Sequence, residues 1–360
     1  MAYPFTEDHD MIRDAAKGWL TEWYDGGKGP ERTYESGTPF DASAWESFAG
    51  ELGLGGIAID EAYGGAQLGD LGRVVVMEEL GASLCAVPFL TTCGVAADVI
   101  AAAGTEDMKS DVLGKIAAGQ IKLTYCDGHD AFTFTADKIS GTVTHVAYAA
   151  CADMIVTSLR TGGELQIIGV PAGVKGLTLT PHQTMDPTRG FADVTLDGVA
   201  LSDVQIIGTI SEEYLNDIVT RSFIALAAES IGGAQKCLDL TLEYTAQRVQ
   251  FDRTIASFQA VKHRCADMFI LIEAARSAVY AAAVADEGEK TQAALVAKAN
   301  ATDAFFEVAG HAIQLHGGIG FTWEYPLHFF FKRARANRSM FGSSSRDYER
   351  LAGHIFGDAA

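Results

Sequence analysis

The spacing of apolar residues changes twice along the 360-residue chain, and this alternation constrains the fold more than any other feature. Up to about residue 119 apolar side chains recur at helical intervals. From Ile121 to Leu196, short runs rich in Thr, Val and Ile alternate with Gly, Asp and Pro turns, which is typical of a compact antiparallel β unit. Six such runs predict strands: 121–125, 132–136, 154–158, 165–170, 177–180 and 192–196. Helical spacing returns from Ser211 onward. We therefore expect an α+β protein with helical blocks on both sides of a β unit.

Local signals place the first helices. Acidic residues directly after Thr6 predict a helix start there, because they face the positive end of the helix dipole. The pairs Gly26–Gly27 and Gly29–Pro30 predict the end of that helix. A second helix is predicted from about Asp41, with three side chains facing inward: Trp45, Phe48 and Leu52.

The composition excludes several classes of partner. A formal charge of −20 and a pI near 4.7 argue against binding to nucleic acid or to an anionic membrane surface. The chain has no run of about 20 apolar residues and no basic, apolar leader, and its six cysteines are scattered without zinc-site spacing. We expect a cytoplasmic protein with no metal site. A basic run is either a patch for CoA phosphates or a solvated helix face: Lys332, Arg333, Arg335 and Arg338.

Two segments carry the strongest functional signal. The first, YTAQRVQFDRTIASFQ, covers residues 244–259 and contains a helix break after Arg248, whose guanidinium can bind a phosphate through two hydrogen bonds. The second, QLHGGIGFTWEYPLHFFFKRAR, covers residues 314–335 and unwinds at Gly317–Gly318, where backbone can approach a ligand closely. Each motif alone has a plain structural alternative, a surface arginine or a glycine helix stop.

Together, in this order and spacing, the two segments resemble the R-x-Q-F and Q-x-H-G-G segments of the acyl-CoA dehydrogenase family. The resemblance implies an N-terminal helical domain (1–119), a middle antiparallel β domain (120–209) and a C-terminal four-helix bundle (210–360). It also implies that both segments reach across a subunit interface to the pyrophosphate and adenosine half of FAD. The matching positions are Arg248, Phe251, Phe258, Gln259, Gln314, Gly317 and Gly318. The family usually has Gly where this chain has Asp252, whose carboxylate would repel a pyrophosphate.

The β region departs from the family pattern. The segment T-E-P-x-x-G-S-D, which in the family bonds the flavin ring, appears here as TYCDGHD at residues 124–130. The W-[IV]-[ST] segment is replaced by HVAYAACAD at residues 145–153. Both replacements remove groups that a flavin ring would use, and the sequence assigns no role to His129 or His145.

The family's catalytic base is missing from both of its usual positions. Dehydrogenation of an acyl-CoA needs a carboxylate that removes the α-proton. One family position lies 26 residues before the arginine, which is Ser222 here, and the other falls at Gly342 or Ser343. Other carboxylates open to consideration are Glu229, Glu324 and Glu349.

A chain without the base, with altered flavin-ring segments and intact cross-interface motifs, resembles one subunit of heteromeric acyl-CoA dehydrogenases that act on CoA thioesters of steroid side chains. These enzymes contain two copies of each of two chains, and the partner chain supplies the glutamate. The resemblance implies an acyl-CoA substrate, with electron-transfer flavoprotein as the acceptor. The alternatives are a self-sufficient homomeric dehydrogenase with another carboxylate, and a non-enzymatic scaffold subunit.

Overall fold

A computed structural model describes residues 4–23, 28–38, 40 and 42–357. Helices come first, then strands, then helices, so the predicted fold class and order of elements are confirmed. The chain forms two compact units: one comprises Met1–Arg32, Asp70–Cys85 and Thr220–Ala360, and the other Thr33–Gly69 and Ala86–Val219. The division into three domains at residues 119 and 209 stays a prediction.

The first helical block contains α1 (Glu7–Trp23), α2 (Lys28–Ser36), α3 (Ala42–Trp45), α4 (Gly69–Ser83), α5 (Phe89–Thr91), α6 (Ala97–Ala103) and α7 (Glu106–Ala117). The helix start after Thr6 is confirmed. The stop at Gly29–Pro30 is wrong, because these residues lie in the first turn of α2, where proline's missing N–H has no helical partner to lose. The predicted stop at Gly26–Gly27 and the start at Asp41 lie outside the described residues.

The helical segment after α3 is buried on one side. Trp45 and Phe48 are buried as predicted, whereas the inward placement of Leu52 is wrong, since it is 38% exposed. Leu52 follows the end of a π-helical turn that covers Glu46–Glu51. The wider π turn rotates later residues away from the face that regular α-helical spacing predicts.

Two four-stranded sheets form the middle of the chain. One has the order β1 (Leu123–Cys126), β4 (Met154–Thr161), β5 (Glu164–Pro171) and β8 (Gln205–Thr209). The other has the order β2 (Phe132–Thr135), β3 (Lys138–Ala147), β7 (Phe191–Ala200) and β6 (Leu177–His182). The sequence patterns did not predict strands β3 and β8. The pairing is antiparallel as predicted except for β1 and β4, which are parallel.

The C-terminal helices are α8 (Glu212–Arg221), α9 (Phe223–Gln247), α10 (Gln259–Ala283), α11 (Glu287–His316), α12 (Leu327–Asn337) and α13 (Ser344–Phe356). Between α9 and α10 two short strands, β9 (Val249–Gln250) and β10 (Arg253–Thr254), form a hairpin. Helix α11 packs against α9, α10, α12 and α13, and its central residues are buried on several faces. Within the described ranges, every helix is too short or too polar to span a bilayer.

Candidate active-site residues

The first motif folds as a tight hairpin directly after α9. Arg248 is the C-cap residue directly after α9, and its amide donates to Tyr244 O at 2.9 Å. Phe251 and Asp252 form the two-residue turn, with φ of +55° and +60°. Two successive left-handed residues are the signature of a type I′ turn, where glycine is preferred at the second position and Asp is tolerated. The conformation explains both the family's usual Gly and its replacement here by Asp252.

Aromatic side chains stand at the tip of this hairpin. Phe251 is 86% exposed, and its ring meets the ring of Phe258 edge-on at 6.2 Å between centroids. The guanidinium of Arg253 lies 4.0 Å from the centroid of the Phe258 ring. Gln259, which begins α10, is exposed. The hairpin therefore presents an aromatic and cationic edge to its surroundings.

The second motif forms the C-terminal end of α11. Gln314 is exposed, and Gly317 has φ +63°, a conformation that strongly favours glycine. A Cβ added at Gly318 would meet no atom of the chain within 4 Å, and Gly318 has no positive φ. Packing within this chain thus gives no reason for a glycine at Gly318, whereas a ligand or partner close to the backbone would.

The structure brings the two motifs together through a residue that the sequence reading missed. The ring of His316 stacks on Tyr244 with centroids 4.3 Å apart, and it contacts Tyr325 at 4.6 Å. Tyr244 Oη donates to His316 O at 3.4 Å, and His316 Nδ1 lies 2.8 Å from Ala312 O. Burial lowers the pKa of His316, so the neutral ring is favoured. The signal in the sequence was its position next to Gly317.

The two expected base positions hold no acid. Ser222 is fully buried and precedes α9. Gly342 has φ +104°, and the side chain of Ser343 accepts a hydrogen bond from the Arg346 amide as the N-cap of α13. Next to these positions the rings of Phe223 and Phe341 stack with centroids 5.3 Å apart. None of the three residues at these positions, Ser222, Gly342 and Ser343, carries a carboxylate.

Glu229, the first alternative carboxylate, is engaged in a buried network. Its Oε1 accepts from Arg333 Nη1 at 2.6 Å, and its Oε2 accepts from Asn337 Nδ2 at 3.0 Å. Glu324 and Glu349 are both exposed. The same network also bears on the basic run of the sequence, whose four cations lie on or just after α12. The side chain of Arg333 is only 1% exposed and points inward, so the four cations do not form one surface patch.

One further acid lies near the second base position and was not singled out from the sequence. Asp347 Oδ2 accepts from Lys298 Nζ at 2.6 Å, and Lys298 Nζ also donates to Gly342 O at 2.9 Å. Both side chains are almost fully buried. Desolvation raises the pKa of Asp347 and lowers that of Lys298, with their ion pair opposing each shift. The pair fixes the start of α13 from inside the helical core.

The segment that replaces the family's flavin-ring motif is closed by its own hydrogen bonds. The amides of Gly128 and His129 donate to Ser158 Oγ at 3.0 and 3.1 Å, and Ser158 Oγ donates to Asp127 Oδ1 at 2.6 Å. His129 Nδ1 lies 2.5 Å from the same carboxylate oxygen. Because these groups already have partners, the segment does not fit a flavin ring without rearrangement.

Comparisons with known proteins show which family the chain is similar to. Residues 6–120 match the acyl-CoA dehydrogenase N-terminal domain, and residues 218–356 match the C-terminal domain. Acyl-CoA dehydrogenase IpdE2 of Mycobacterium tuberculosis is 30% identical over 355 residues, covering 97% of this chain and 98% of the relative. IpdE2 of Mycolicibacterium smegmatis is 29% identical and covers 98% and 100%.

Two solved assemblies are similar along their full length. A chain of the ChsE4–ChsE5 complex from Mycobacterium tuberculosis is 25% identical with a TM-score of 0.88, and the match covers 100% of both chains. A chain of a variant Tcur3481–Tcur3483 steroid ACAD is 29% identical with a TM-score of 0.85, covering 98% of this chain and 99% of that one. By its domains and its relatives, this chain belongs to the acyl-CoA dehydrogenase family, whose enzymes are oxidoreductases acting on CH–CH groups.

Proposed function

We propose that this chain is one subunit of a heteromeric FAD-dependent acyl-CoA dehydrogenase, in which it completes the FAD site of a glutamate-bearing partner and supplies no catalytic base. The observation that carries the proposal is the combination of two base positions without a carboxylate and a glutamate, Glu229, whose two oxygens are both engaged. A base must reach a substrate proton directly or through one water. A glutamate bound to two buried partners does not meet that condition.

The cross-interface half of an FAD site fits the residues present. Of the seven expected contact residues, six are exposed and Phe258 is half-buried, so all can meet a molecule outside this chain: Arg248, Phe251, Phe258, Gln259, Gln314, Gly317 and Gly318. Arg248 would bind the pyrophosphate, the Gly317–Gly318 backbone would approach it, and the hairpin aromatics would cover the adenosine side. FAD itself supplies the acceptor for the hydride.

The flavin-ring half does not fit this chain, and that disagreement points to a partner. The amides of Gly128 and His129 are occupied by Ser158, and Asp127 adds a carboxylate to the segment. We infer that the flavin ring lies against the partner's own β domain. An assembly with one FAD for each pair of unlike chains follows from this division.

The proposal also covers the substrate, the electron acceptor and the cellular location. The likeness to the Tcur3481–Tcur3483 steroid ACAD supports a CoA thioester of a steroid side chain. Electron-transfer flavoprotein is the proposed acceptor, as is usual in the family. A cytoplasmic location accords with six cysteines that are all free thiols in the structure.

The test is to purify the chain alone and after coexpression with a dehydrogenase-like partner, and to measure bound FAD by visible absorbance. We expect FAD and acyl-CoA turnover only in the complex. Arg248→Ala should lower FAD affinity by about 10- to 150-fold, because a charge-assisted hydrogen bond contributes about 1.5–3 kcal/mol. Arg264→Ala, an exposed arginine on α10, is the matched control and should leave FAD content unchanged.

Two results would contradict the proposal. A lone chain that retains FAD and turns over acyl-CoA at ordinary rates would establish a self-sufficient enzyme. A complex whose FAD content is the same with Arg248 and with Ala at that position would leave this chain the role of a scaffold.

A further inference from the structure

The exposed face of the second sheet carries three side chains that converge from three strands. His145 lies on β3, His182 ends β6, and Asp193 lies on β7. In the register of β3 with β7, Val143 pairs with Val194 and Val146 pairs with Ala192, so a bulge sets two residues of β3 against Asp193. His145, the second of these residues, has φ +57°. The bulge turns the imidazole of His145 to the side of the sheet that bears Asp193.

The three side chains already contact one another. His182 Nε2 lies 2.7 Å from Asp193 Oδ1, and the His145 amide donates to the same oxygen at 3.0 Å. The two imidazole rings are stacked, with centroids 4.6 Å apart and planes 7° apart. One nitrogen from each ring and one carboxylate oxygen all lie within 4.8 Å of one another.

The three side chains retain nitrogen and oxygen atoms that are available to coordinate a metal ion. Within the described residues, no hydrogen bond engages either ring nitrogen of His145 or Nδ1 of His182, and Asp193 Oδ2 makes no ion pair. Nitrogen and oxygen ligands lie about 2.0–2.2 Å from a zinc ion, so ligand atoms of one site are about 3–4 Å apart. Because the His145 side chain is exposed, turning its ring out of the stack can bring the set to that spacing.

We propose that His145, His182 and Asp193 bind one divalent transition-metal ion of the Zn²⁺ class. Two imidazoles and one carboxylate form a ligand set that suits Zn²⁺, Co²⁺ and Ni²⁺, with water completing the coordination at this open face. The bound ion would join β3, β6 and β7, and binding to the folded form alone would raise its stability by mass action. The site does not depend on the proposed dehydrogenase role.

One of the three residues lies in a segment where this sequence departs from the pattern of its family. His145 begins HVAYAACAD, the segment that stands where the family has its W-[IV]-[ST] motif. With spacings of 37 and 11 residues between the three ligands, no local motif could announce the site. It is formed by strand register, and the ion would serve the β region of this chain rather than a flavin ring.

The test uses the full-length chain after treatment with a chelator, titrated with Zn²⁺ alone by calorimetry. We expect one equivalent to bind and the thermal midpoint to rise with Zn²⁺ concentration. His182→Ala and Asp193→Asn should each weaken binding by more than about 100-fold, since even outer contacts to metal ligands change affinity by about 10- to 100-fold. His145→Asn should do the same, and Asn tolerates the positive φ of this position.

His263→Ala is the matched control, because His263 is an exposed histidine on α10 outside the cluster. It should bind Zn²⁺ as the unaltered chain does. Titration with Co²⁺ adds a visible spectrum that must change in each ligand variant. The proposal is overturned if the chain takes up no Zn²⁺ saturably, or if His145→Asn, which alters an exposed side chain and no core contact, binds Zn²⁺ as tightly as the control.

Discussion

Replacement of Glu229 tests whether this buried carboxylate is a structural partner or a hidden base. In Glu229→Ala the guanidinium of Arg333 would lose a bond of 2.6 Å while remaining buried, and Asn337 would lose a bond of 3.0 Å. Breaking one side of a buried ion pair costs about 3–5 kcal/mol, because the remaining buried charge loses the carboxylate that balanced it. We therefore expect a large loss of stability from a single substitution on α9.

The loss can be expressed as a thermal shift. For a cooperative unit of 150–250 residues, each kcal/mol lowers Tm by roughly 2–4 °C, so Tm should fall by about 6–20 °C. Scanning calorimetry of the purified complex measures this value. Glu243→Ala, an exposed glutamate on the same helix, is the control and should stay within about 0.5 kcal/mol of the unaltered chain.

A double substitution separates charge from packing. Glu229→Leu with Arg333→Met removes both charges and should restore most of the lost Tm, since neither buried charge then has to be balanced by the other. Turnover per bound FAD in the complex should be unchanged in Glu229→Gln. If instead Glu229→Gln keeps its Tm and loses turnover, Glu229 is the base and our assignment of it to a structural network is wrong.

Three further predictions address the cofactor surface and pH. Gly318→Ala should lower the FAD affinity of the complex by at least about tenfold with no change in Tm, because the added methyl group meets no atom of this chain but crowds a ligand. Gly288→Ala, at an equally uncrowded position, is the control and should change neither FAD affinity nor Tm. Equal FAD content in the two variants would contradict a contact between Gly318 and FAD. Asp252→Gly should tighten FAD binding about fivefold, because removing one negative charge near a phosphate makes the binding free energy more favourable by about 1 kcal/mol. FAD titration measures the affinity, and an unchanged value would place Asp252 away from the pyrophosphate. Desolvation, with a smaller effect of Lys332, lowers the pKa of His328 from 6.5 to about 4. As pH falls, the unfolded chain therefore binds a proton at His328 before the folded chain does, and the stability of the folded protein should fall as pH drops from 6.5 towards 4. His328→Phe should flatten the curve of Tm against pH between these two values. An unaltered slope would show that other groups set the pH dependence.

Local sequence patterns were enough to determine the order of elements. Apolar residues at helical spacing on α9 and α11 and short β-rich runs between them predicted the helical and β regions. These patterns gave wrong predictions where the geometry is less regular. The π turn after α3 leaves Leu52 exposed, and Pro30 lies in the first turn of a helix rather than at the end of one. Strands β3 and β8 were not predicted, and each carries an internal glycine, Gly141 and Gly208, which weakens the local strand pattern.

The sequence by itself determined which chemical groups are present and which are missing. It showed Ser222, Gly342 and Ser343 where a base is expected, and Arg248 and Gly317–Gly318 at the positions that the family resemblance predicts for cofactor contacts. A side chain's type is encoded one residue at a time, so such statements need no coordinates.

Only the tertiary structure decided what those groups have as neighbours. It engaged Glu229 with Arg333 across 104 residues, stacked Tyr244 on His316 across 72, and gathered His145 with two other ligands from separate strands. It also closed the TYCDGHD segment around Ser158. These contacts depend on helix packing and strand register, which are set by the burial of the whole apolar core and leave no short-range signature in the chain.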